Sequence, residues 1–448
     1  MKKKAFLLCA LLIFTFFAIP ISGSAAYEPP FEVQTESVLL VNLDTDTIVY
    51  EKNADERRAP ASLTKITTTM LALEQCADRL DEQTTLNKRI FDDLGTGYSN
   101  ANLKEGEEVT LRELLYCTMV KSACEGANAV ADFVSGGHID EFVEQMNKRM
   151  EELGCTNTHY ENAHGLDDPN QYSTARDIYK IVKNAMDLPY FMEICSTARY
   201  TMPATNLTPE RTLITTNLLM DKGVGGEYYY SYVKGIKTGY TGDAGRCLVS
   251  TASKDGYNYL LIQLGAPTED ENGNKLEGYI NFKEAKQIYE WVLPAFQVKT
   301  LVDVDKPAGD VKVNLGEEKD TVLAYPSQEM SSLVPSSVES SSILLVPNLP
   351  ESVDAPVKKG DVLGTADLML SGEKIGQVDL VAGESVNRSQ SLYYMKMIDD
   401  IVNSFWFKAV IIGIVSLVVL YIIVSIAINI HRKKSDRVKS KSRRGRKL

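Results

Sequence analysis

Long apolar runs stand near both ends of the 448-residue chain, and shorter mixed patterns fill the space between. Lys2, Lys3 and Lys4 precede an apolar stretch from Ala5 to Ile21, which closes on Ser22-Gly23-Ser24-Ala25-Ala26. A basic start, an apolar centre and a small-residue end predict a secretory signal peptide over 1–26, cleaved after Ala26 or Ala25. Near the other end, Ala409–Ile430 holds no charge over 22 residues. At about 1.5 Å per residue this gives about 33 Å of helix, enough to cross a bilayer core. Phe405, Trp406 and Phe407 stand where an interfacial aromatic belt belongs, and Arg432, Lys433, Lys434 and Arg437 follow the run. The positive-inside rule therefore places 431–448 as a basic cytoplasmic tail, 409–430 as a transmembrane helix and Tyr27–Lys408 outside the cell. Such a tail also suits an anionic lipid surface.

Between these ends the pattern switches repeatedly. Ser37–Leu43 and Ile48–Glu51 are strand-like around the turn residues Asp44-Thr45-Asp46-Thr47, which predicts a hairpin. Pro60 to about Cys76 reads as a helix with proline at its entrance. Leu111–Val120 and Gly126–Val134 read as helices broken at Lys121-Ser122; Arg176–Met186 and Lys283–Val292 read as two more. Lys234–Gly239, Cys247–Ala252 and Tyr257–Gly265 read as strands with Gly-rich turns. The mixture lacks regular βαβ alternation, so an α+β layer fold is expected over 27–294 rather than a doubly wound sheet. Over 298–388 short alternating runs rich in Val, Gly, Asp and Pro predict a small all-β domain, a sandwich or barrel. Ser327–Ser342 reads as a mobile loop inside it. Over 391–408, Leu392, Met395, Ile398, Val402 and Phe405 recur at helical intervals, an amphipathic stalk before the membrane helix.

Charge narrows the function. The formal charge is −12, but 1–26 carries +3 and 431–448 carries +9, which leaves −24 on the body. So acidic a body is a poor nucleic-acid binder. Six cysteines remain beyond the leader: Cys76, Cys117, Cys124, Cys155, Cys195 and Cys247. An extracellular location permits disulfides, yet no CxxC pair exists, so bridges and free buried thiols both stay open. His138, His159 and His164 show neither HExxH nor zinc-finger spacing, which disfavours a zinc enzyme.

Three short motifs carry candidate chemistry. In Ser62-Leu63-Thr64-Lys65 a helix start would set Lys65 one turn after Ser62 on the same face. A serine hydroxyl is a weak nucleophile until a base takes its proton, and a lysine made neutral by burial and a neighbouring cation can be that base. The helix N-terminus adds partial positive charge near a developing oxyanion. Ser122 follows at a helix break. Lys237-Thr238-Gly239 lies on an expected strand, where Lys237 and Thr238 can hold a carboxylate and Gly239 lets a substrate approach the backbone. Each motif alone is weak. Their order in one secreted domain matches the set found in penicillin-binding proteins and class A β-lactamases.

The chain resembles the low-molecular-weight D-alanyl-D-alanine carboxypeptidases, serine peptidases of the penicillin-binding family. Pro60 to Thr67 looks like their nucleophile stretch. Glu161 to Asp168 and Tyr172 to Asp177 look like their middle segment, and Thr216 to Leu219 and Gly235 to Thr241 complete the likeness. Ala355 to Asp361 resembles their C-terminal β domain. The resemblance implies a β-lactamase/transpeptidase-like catalytic domain, an antiparallel sheet with flanking helices. It implies that Ser62 attacks the bond between two terminal D-Ala residues of a peptidoglycan stem peptide, with Lys65 as base and Ser122 relaying a proton to the leaving amine. Lys237 and Thr238 would bind the terminal carboxylate, and the N–H groups of Ser62 and Tyr240 would form the oxyanion hole. β-Lactams would acylate Ser62, and no metal or other cofactor is required.

One position departs from the pattern. The family's second motif is usually Ser-x-Asn, whereas this chain has Ser122-Ala123-Cys124. A thiol is a weaker donor and acceptor than an amide. One lost neutral hydrogen bond is worth roughly 0.5–1.5 kcal/mol, a slowing of about 2- to 13-fold rather than a loss. Asn128 is a candidate to compensate, or a plain helix residue. Glu161 stands near where a class A β-lactamase places its deacylating Glu, but Asn162-Ala163-His164 do not match that enzyme's loop. His164 reads as a loop-fixing residue, and Arg246 as added positive potential or solvated surface. A membrane-anchored DD-carboxypeptidase is the expected function. The alternatives are a serine β-lactamase, opposed by the missing Glu context, and a non-catalytic wall-binding protein, opposed by the retained Ser62, Lys65, Ser122 and Lys237.

Overall fold

The computed structural model describes residues 27–270, 272–337, 342–370 and 372–444. The expected signal peptide over 1–26 lies outside the described residues. The described chain divides into two compact units, one running to residue 299 and taking in 332–337, the other holding 300–331 and the described residues from 342 onward.

In chain order the first unit holds β1 (Ser37–Asn42), β2 (Thr47–Lys52), α1 (Thr64–Cys76), β3 (Gln83–Thr85), β4 (Glu108–Thr110), α2 (Leu111–Met119), α3 (Cys124–Val134), α4 (Ile139–Glu152), α5 (Ala175–Met186) and α6 (Phe191–Cys195). Then come β5 (Arg199–Met202), β6 (Arg211–Ile214), the single turn α7 (Lys222–Gly225), β7 (Val233–Thr241), β8 (Gly245–Lys254), β9 (Tyr257–Ala266) and α8 (Ile280–Ala295). Five strands form one antiparallel sheet in the order β2-β1-β9-β8-β7. The N-terminal hairpin thus closes onto β9, with Leu40 opposite Leu261, and β7 is left at the edge.

Strand alternation sorts side chains into two cores. Leu39, Val41, Val249, Leu260 and Ile262 pack with Ile66 and Met70 of α1, Leu114 of α2 and Ile181 of α5. Val38, Leu40, Leu248 and Leu261 pack on the other face with Phe282, Ile288 and Tyr289 of α8. Each such side chain contributes about 1.5–3 kcal/mol by leaving water. The result is the expected antiparallel sheet with flanking helices.

Local chemistry sets the helix starts. At α2, Thr110 Oγ1 accepts from Glu113 N at 3.2 Å and Glu113 Oε2 accepts from Thr110 N at 2.7 Å, a reciprocal cap. At α5, Thr174 Oγ1 accepts from Asp177 N at 3.0 Å. The break expected at Lys121-Ser122 separates α2 from α3, and Ser122 adopts φ +62° within it. Helix α4 departs from the expected pattern because only Phe142, Met146 and Met150 of it are buried, four residues apart in a charged segment, with Ile139 and Val143 partly buried beside them.

The β-rich part holds β10 (Phe296–Val302), β11 (Gly309–Asn314), β12 (Thr321–Pro326), β13 (Met330–Pro335), β14 (Ile343–Asn348), β15 (Ser352–Asp354), β16 (Val362–Leu370) and β17 (Glu373–Ala382). Six strands make a sheet in the order β14-β16-β17-β12-β11-β15, parallel only between β11 and β15. Val311, Val313, Val322, Leu368 and Leu380 fill its core. Strands β10 and β13 form a separate ribbon. Strand β13 corrects the mobile-loop expectation for Ser327–Ser342 over Met330–Pro335, where Leu333 and Val334 are buried and two adjacent apolar residues outweigh the flanking serines; 338–341 lie outside the described residues.

Helix α9 (Gln390–Asn403) exposes Leu392, Met395 and Ile398, and α10 (Phe405–Arg444) follows. The stalk ends five residues before Lys408 because Ser404 caps α10, its Oγ accepting from Phe407 N at 3.2 Å. Phe405–Arg432 is long and apolar enough to cross a bilayer.

Candidate active site

The chain before α1 is shaped to present Ser62. Ala61 takes φ +47°, and residues Ala61–Leu63 form a 3₁₀ turn whose carbonyl at Ala61 accepts from Thr64 Oγ1 at 2.9 Å. Two glycines let other segments press against this turn. A Cβ on Gly165, which has φ +85°, would stand 1.9 Å from Ala61 O. A Cβ on Gly239 of β7 would stand 3.1 Å from Ala61 Cβ and 3.2 Å from Ser62 N. Edge strand β7 therefore runs directly beside the serine.

One helical turn on, Lys65 is fully buried and its Nζ lies 2.9 Å from Ser62 Oγ. Nζ also donates to the His164 carbonyl and stands 3.5 Å from Cys124 Sγ. Burial pushes the Lys65 ammonium below its ordinary value, although Cys124 and Glu125 oppose this. Across the site, Lys237 Nζ donates to Ser122 Oγ at 2.8 Å and to Thr238 O at 2.9 Å. Burial, and then the charge of Lys65, hold Lys237 well below the usual lysine range. The positive charge of Lys65 thus counts against a second one on Lys237.

These groups border a cleft of about 510 Å³ whose lining includes Ser62, Ser122, Cys124, Thr216, Thr238 and Tyr240. Lys65 and Lys237 lie behind its floor, each nearly inaccessible. Tyr240 is 55% exposed, and the Arg246 guanidinium sits 4.9 Å above its ring and 4.3 Å from that of Tyr279. Arg246 thus lines the cleft rather than pointing into open solvent.

The residues weighed in second rank separate cleanly. Asn128 Nδ2 donates to Ile90 O at 3.1 Å and Asp93 Oδ1 at 2.7 Å, so both its amide hydrogens are turned away from the cleft, which Asn128 does not line, and it does not replace the missing Asn as a donor there. Glu161 is a surface residue 3.2 Å from His159 Nε2. His164 Nδ1 accepts from Leu166 N at 3.1 Å, so Nε2 carries the hydrogen and donates to Asp93 Oδ2 at 2.9 Å. Burial holds this imidazole below its ordinary pKa, against the pull of Asp93. His164 thereby fixes the loop whose carbonyl receives Lys65. All six described cysteines are free and buried. Sequence reasoning gave no role to Gly165; its position before Leu166 in a loop was the available cue.

A family profile described as D-alanyl-D-alanine carboxypeptidase matches residues 23–268, more than half of the chain. The chain belongs to the D-alanyl-D-alanine carboxypeptidase family. It is a serine-type peptidase of that family, a hydrolase of the penicillin-binding, cell-wall class. A second profile, for the C-terminal domain of penicillin-binding protein 5, matches residues 296–388. The D-alanyl-D-alanine carboxypeptidase DacC of Escherichia coli (strain K12) is 30% identical over 390 residues, covering 84% of this chain and 89% of that protein. DacF of Bacillus subtilis (strain 168) is 28% identical over 366 residues, covering 81% and 88%. Among solved structures, penicillin-binding protein 5 from Haemophilus influenzae aligns with a TM-score of 0.60 at 26% identity, covering 81% of this chain and all of that one.

Proposed function

We propose that this carboxypeptidase removes the terminal D-alanine from peptidoglycan stem peptides through an acyl-enzyme on Ser62. The observation that carries the reading is the 2.9 Å contact between Ser62 Oγ and a buried Lys65 Nζ whose hydrogen-bond partners among the described residues include no carboxylate. Neutral Lys65 takes the Ser62 proton as Oγ attacks the carbonyl of the penultimate D-Ala. The oxyanion forms between the N–H groups of Ser62 and Tyr240. Collapse breaks the peptide bond: Ser122 gives its proton to the leaving amine of D-alanine and takes one from Lys237, 2.8 Å away, and the proton that Lys65 took from Ser62 then restores the Lys237 ammonium. Water then attacks the Ser62 ester, the again neutral Lys65 accepts its proton and passes it to Ser62 Oγ as the ester bond breaks, and the shortened peptide leaves with a new carboxylate.

Thr238 lines the cleft and is the direct ligand for the terminal carboxylate. Lys237 acts by its charge from behind, because its side chain is buried beneath the cleft lining, where Nζ holds Ser122 and the Thr238 carbonyl. A bound carboxylate stabilises the Lys237 ammonium, which draws the shared positive charge to that side and leaves Lys65 free as base. Cys124 borders the same pocket in place of the family's usual Asn. β-Lactams enter as mimics of the D-Ala-D-Ala end and acylate Ser62. The apolar helix Phe405–Arg432 anchors the enzyme with its catalytic unit outside and the basic tail in the cytoplasm. The test is D-alanine release from a pentapeptide ending in D-Ala-D-Ala by the full chain in detergent. Wild type releases D-alanine and Ser62→Ala does not; equal release by both would end the proposal.

A further inference from the structure

Thr216 sits where the loop after β6 meets the two motif-bearing elements. Its N–H donates to Val120 O at 3.2 Å, two residues before Ser122. Its Oγ1 stands 2.5 Å from Thr238 Oγ1 on β7. The adjoining Asn217 is 2% exposed, donates from Nδ2 to Gly235 O at 2.9 Å and accepts from Leu219 N at 3.1 Å. This clamp fixes the Thr216 backbone against the start of β7, so the Thr216 hydroxyl approaches Thr238 from a rigid base. Both threonines line the cleft.

Two hydroxyls in contact share one hydrogen and leave a second one free. When Thr216 donates, the Thr238 hydrogen is left for a ligand, and the first bond polarises the second. A carboxylate accepts and never donates, so it selects this arrangement. Without Thr216 the Thr238 hydroxyl turns freely about its C–O bond, and part of its population points elsewhere.

We propose that Thr216 is a positioning residue for the substrate's terminal carboxylate, holding the Thr238 hydroxyl so that its hydrogen points into the cleft. This rests on the reading of Thr238 as the carboxylate ligand. The test measures kcat and KM of the full chain in detergent for a peptide ending in D-Ala-D-Ala and for its C-terminal amide. The variants are Thr216→Val, Thr216→Ser and Thr238→Val. Thr216→Val is expected to lower kcat/KM for the free acid about fivefold to tenfold, mainly through KM, in line with one lost hydrogen bond. The amide changes less than twofold, and Thr216→Ser keeps the wild-type preference for the acid. Equal losses on acid and amide, or no loss on either, would overturn the positioning role. If Thr238→Val erodes the preference for the acid while Thr216→Val does not, only this inference fails. If Thr238→Val also leaves the preference intact, the carboxylate reading fails and takes the inference with it.

Discussion

Lys237 Nζ lies 2.8 Å from Ser122 Oγ, although 115 residues of chain separate them. In the proposed mechanism the contact gives Ser122 a proton donor at its back and a leaving group at its front. Expelling an amine needs that proton more than expelling a thiolate does. Ser122→Ala should therefore lower kcat for the peptide by about 10²–10⁴-fold, the usual worth of a positioned acid or base. A thioester substrate should lose at least tenfold less. Parallel steady-state assays on the two substrates check this, and equal losses would remove the proton-relay role.

The same burial makes the lysines costly to the fold. Lys237 is held well below its ordinary value in the folded state, whereas an unfolded chain returns it to about 10.4. The unfolded state then binds more protons, so this residue's contribution to stability rises with pH between the depressed value and about 10.4. The slope is about 1.4 kcal/mol per pH unit for a fully neutral lysine. Lys237→Met should raise Tm at neutral pH, flatten the pH dependence of stability across that window and abolish D-alanine release. Thermal unfolding of the full chain in detergent at several pH values reads both effects. A lower Tm at neutral pH with an unchanged slope would contradict the account.

In the proposed mechanism acylation needs Lys65 in its base form, so its rate should fall as pH drops through the depressed Lys65 value. Lys65→Arg keeps the charge permanently and cannot serve as base. It should cut the rate of labelling by fluorescent penicillin about 10²–10⁴-fold at every pH from 6 to 9. Recovery of the rate at the alkaline end of that range would show that Lys65 is not the base.

Gly165 tests how the proposed nucleophile is aimed. Alanine there meets Ala61 O at 1.9 Å in a left-handed conformation, which itself costs about 1–2 kcal/mol. Gly165→Ala should lower Tm and, by displacing the turn that carries Ser62, reduce kcat/KM about 10²-fold. Substitution of Gly95, which has nothing near its Cβ position, is the control and should leave activity unchanged.

The Ser62–Lys65 pair was legible because helix periodicity alone puts residues three apart on one face. The hairpin, the three C-terminal strands of the sheet and the break at Ser122 followed from alternation and turn chemistry. Ser122 and Lys237 were legible as candidates only through motif order and resemblance, since no local rule brings positions 115 apart into contact. The orientation of Lys237 toward Ser122 rather than into the cleft needed coordinates, as did the commitment of Asn128 to Asp93. Helix α4 and strand β13 were missed for a shared reason. In each, two or three buried side chains decide the structure while the charged or serine neighbours dominate the local pattern.

Cys124 leaves a weak partner 3.5 Å from Lys65 where an amide is usual. Cys124→Asn should leave the peptidase rate unchanged or raise it, by no more than about 13-fold. Initial rates of D-alanine release settle the sign. A tenfold fall would mean that the thiol has its own role at the site.

The central claim is covalent chemistry at one hydroxyl. The full chain in detergent is treated with benzylpenicillin, digested, and the adduct located by tandem mass spectrometry. The account predicts a single penicilloyl group on the Ser62 side chain, absent from Ser62→Ala. Modification at another residue, or an equal adduct on Ser62→Ala, would contradict it.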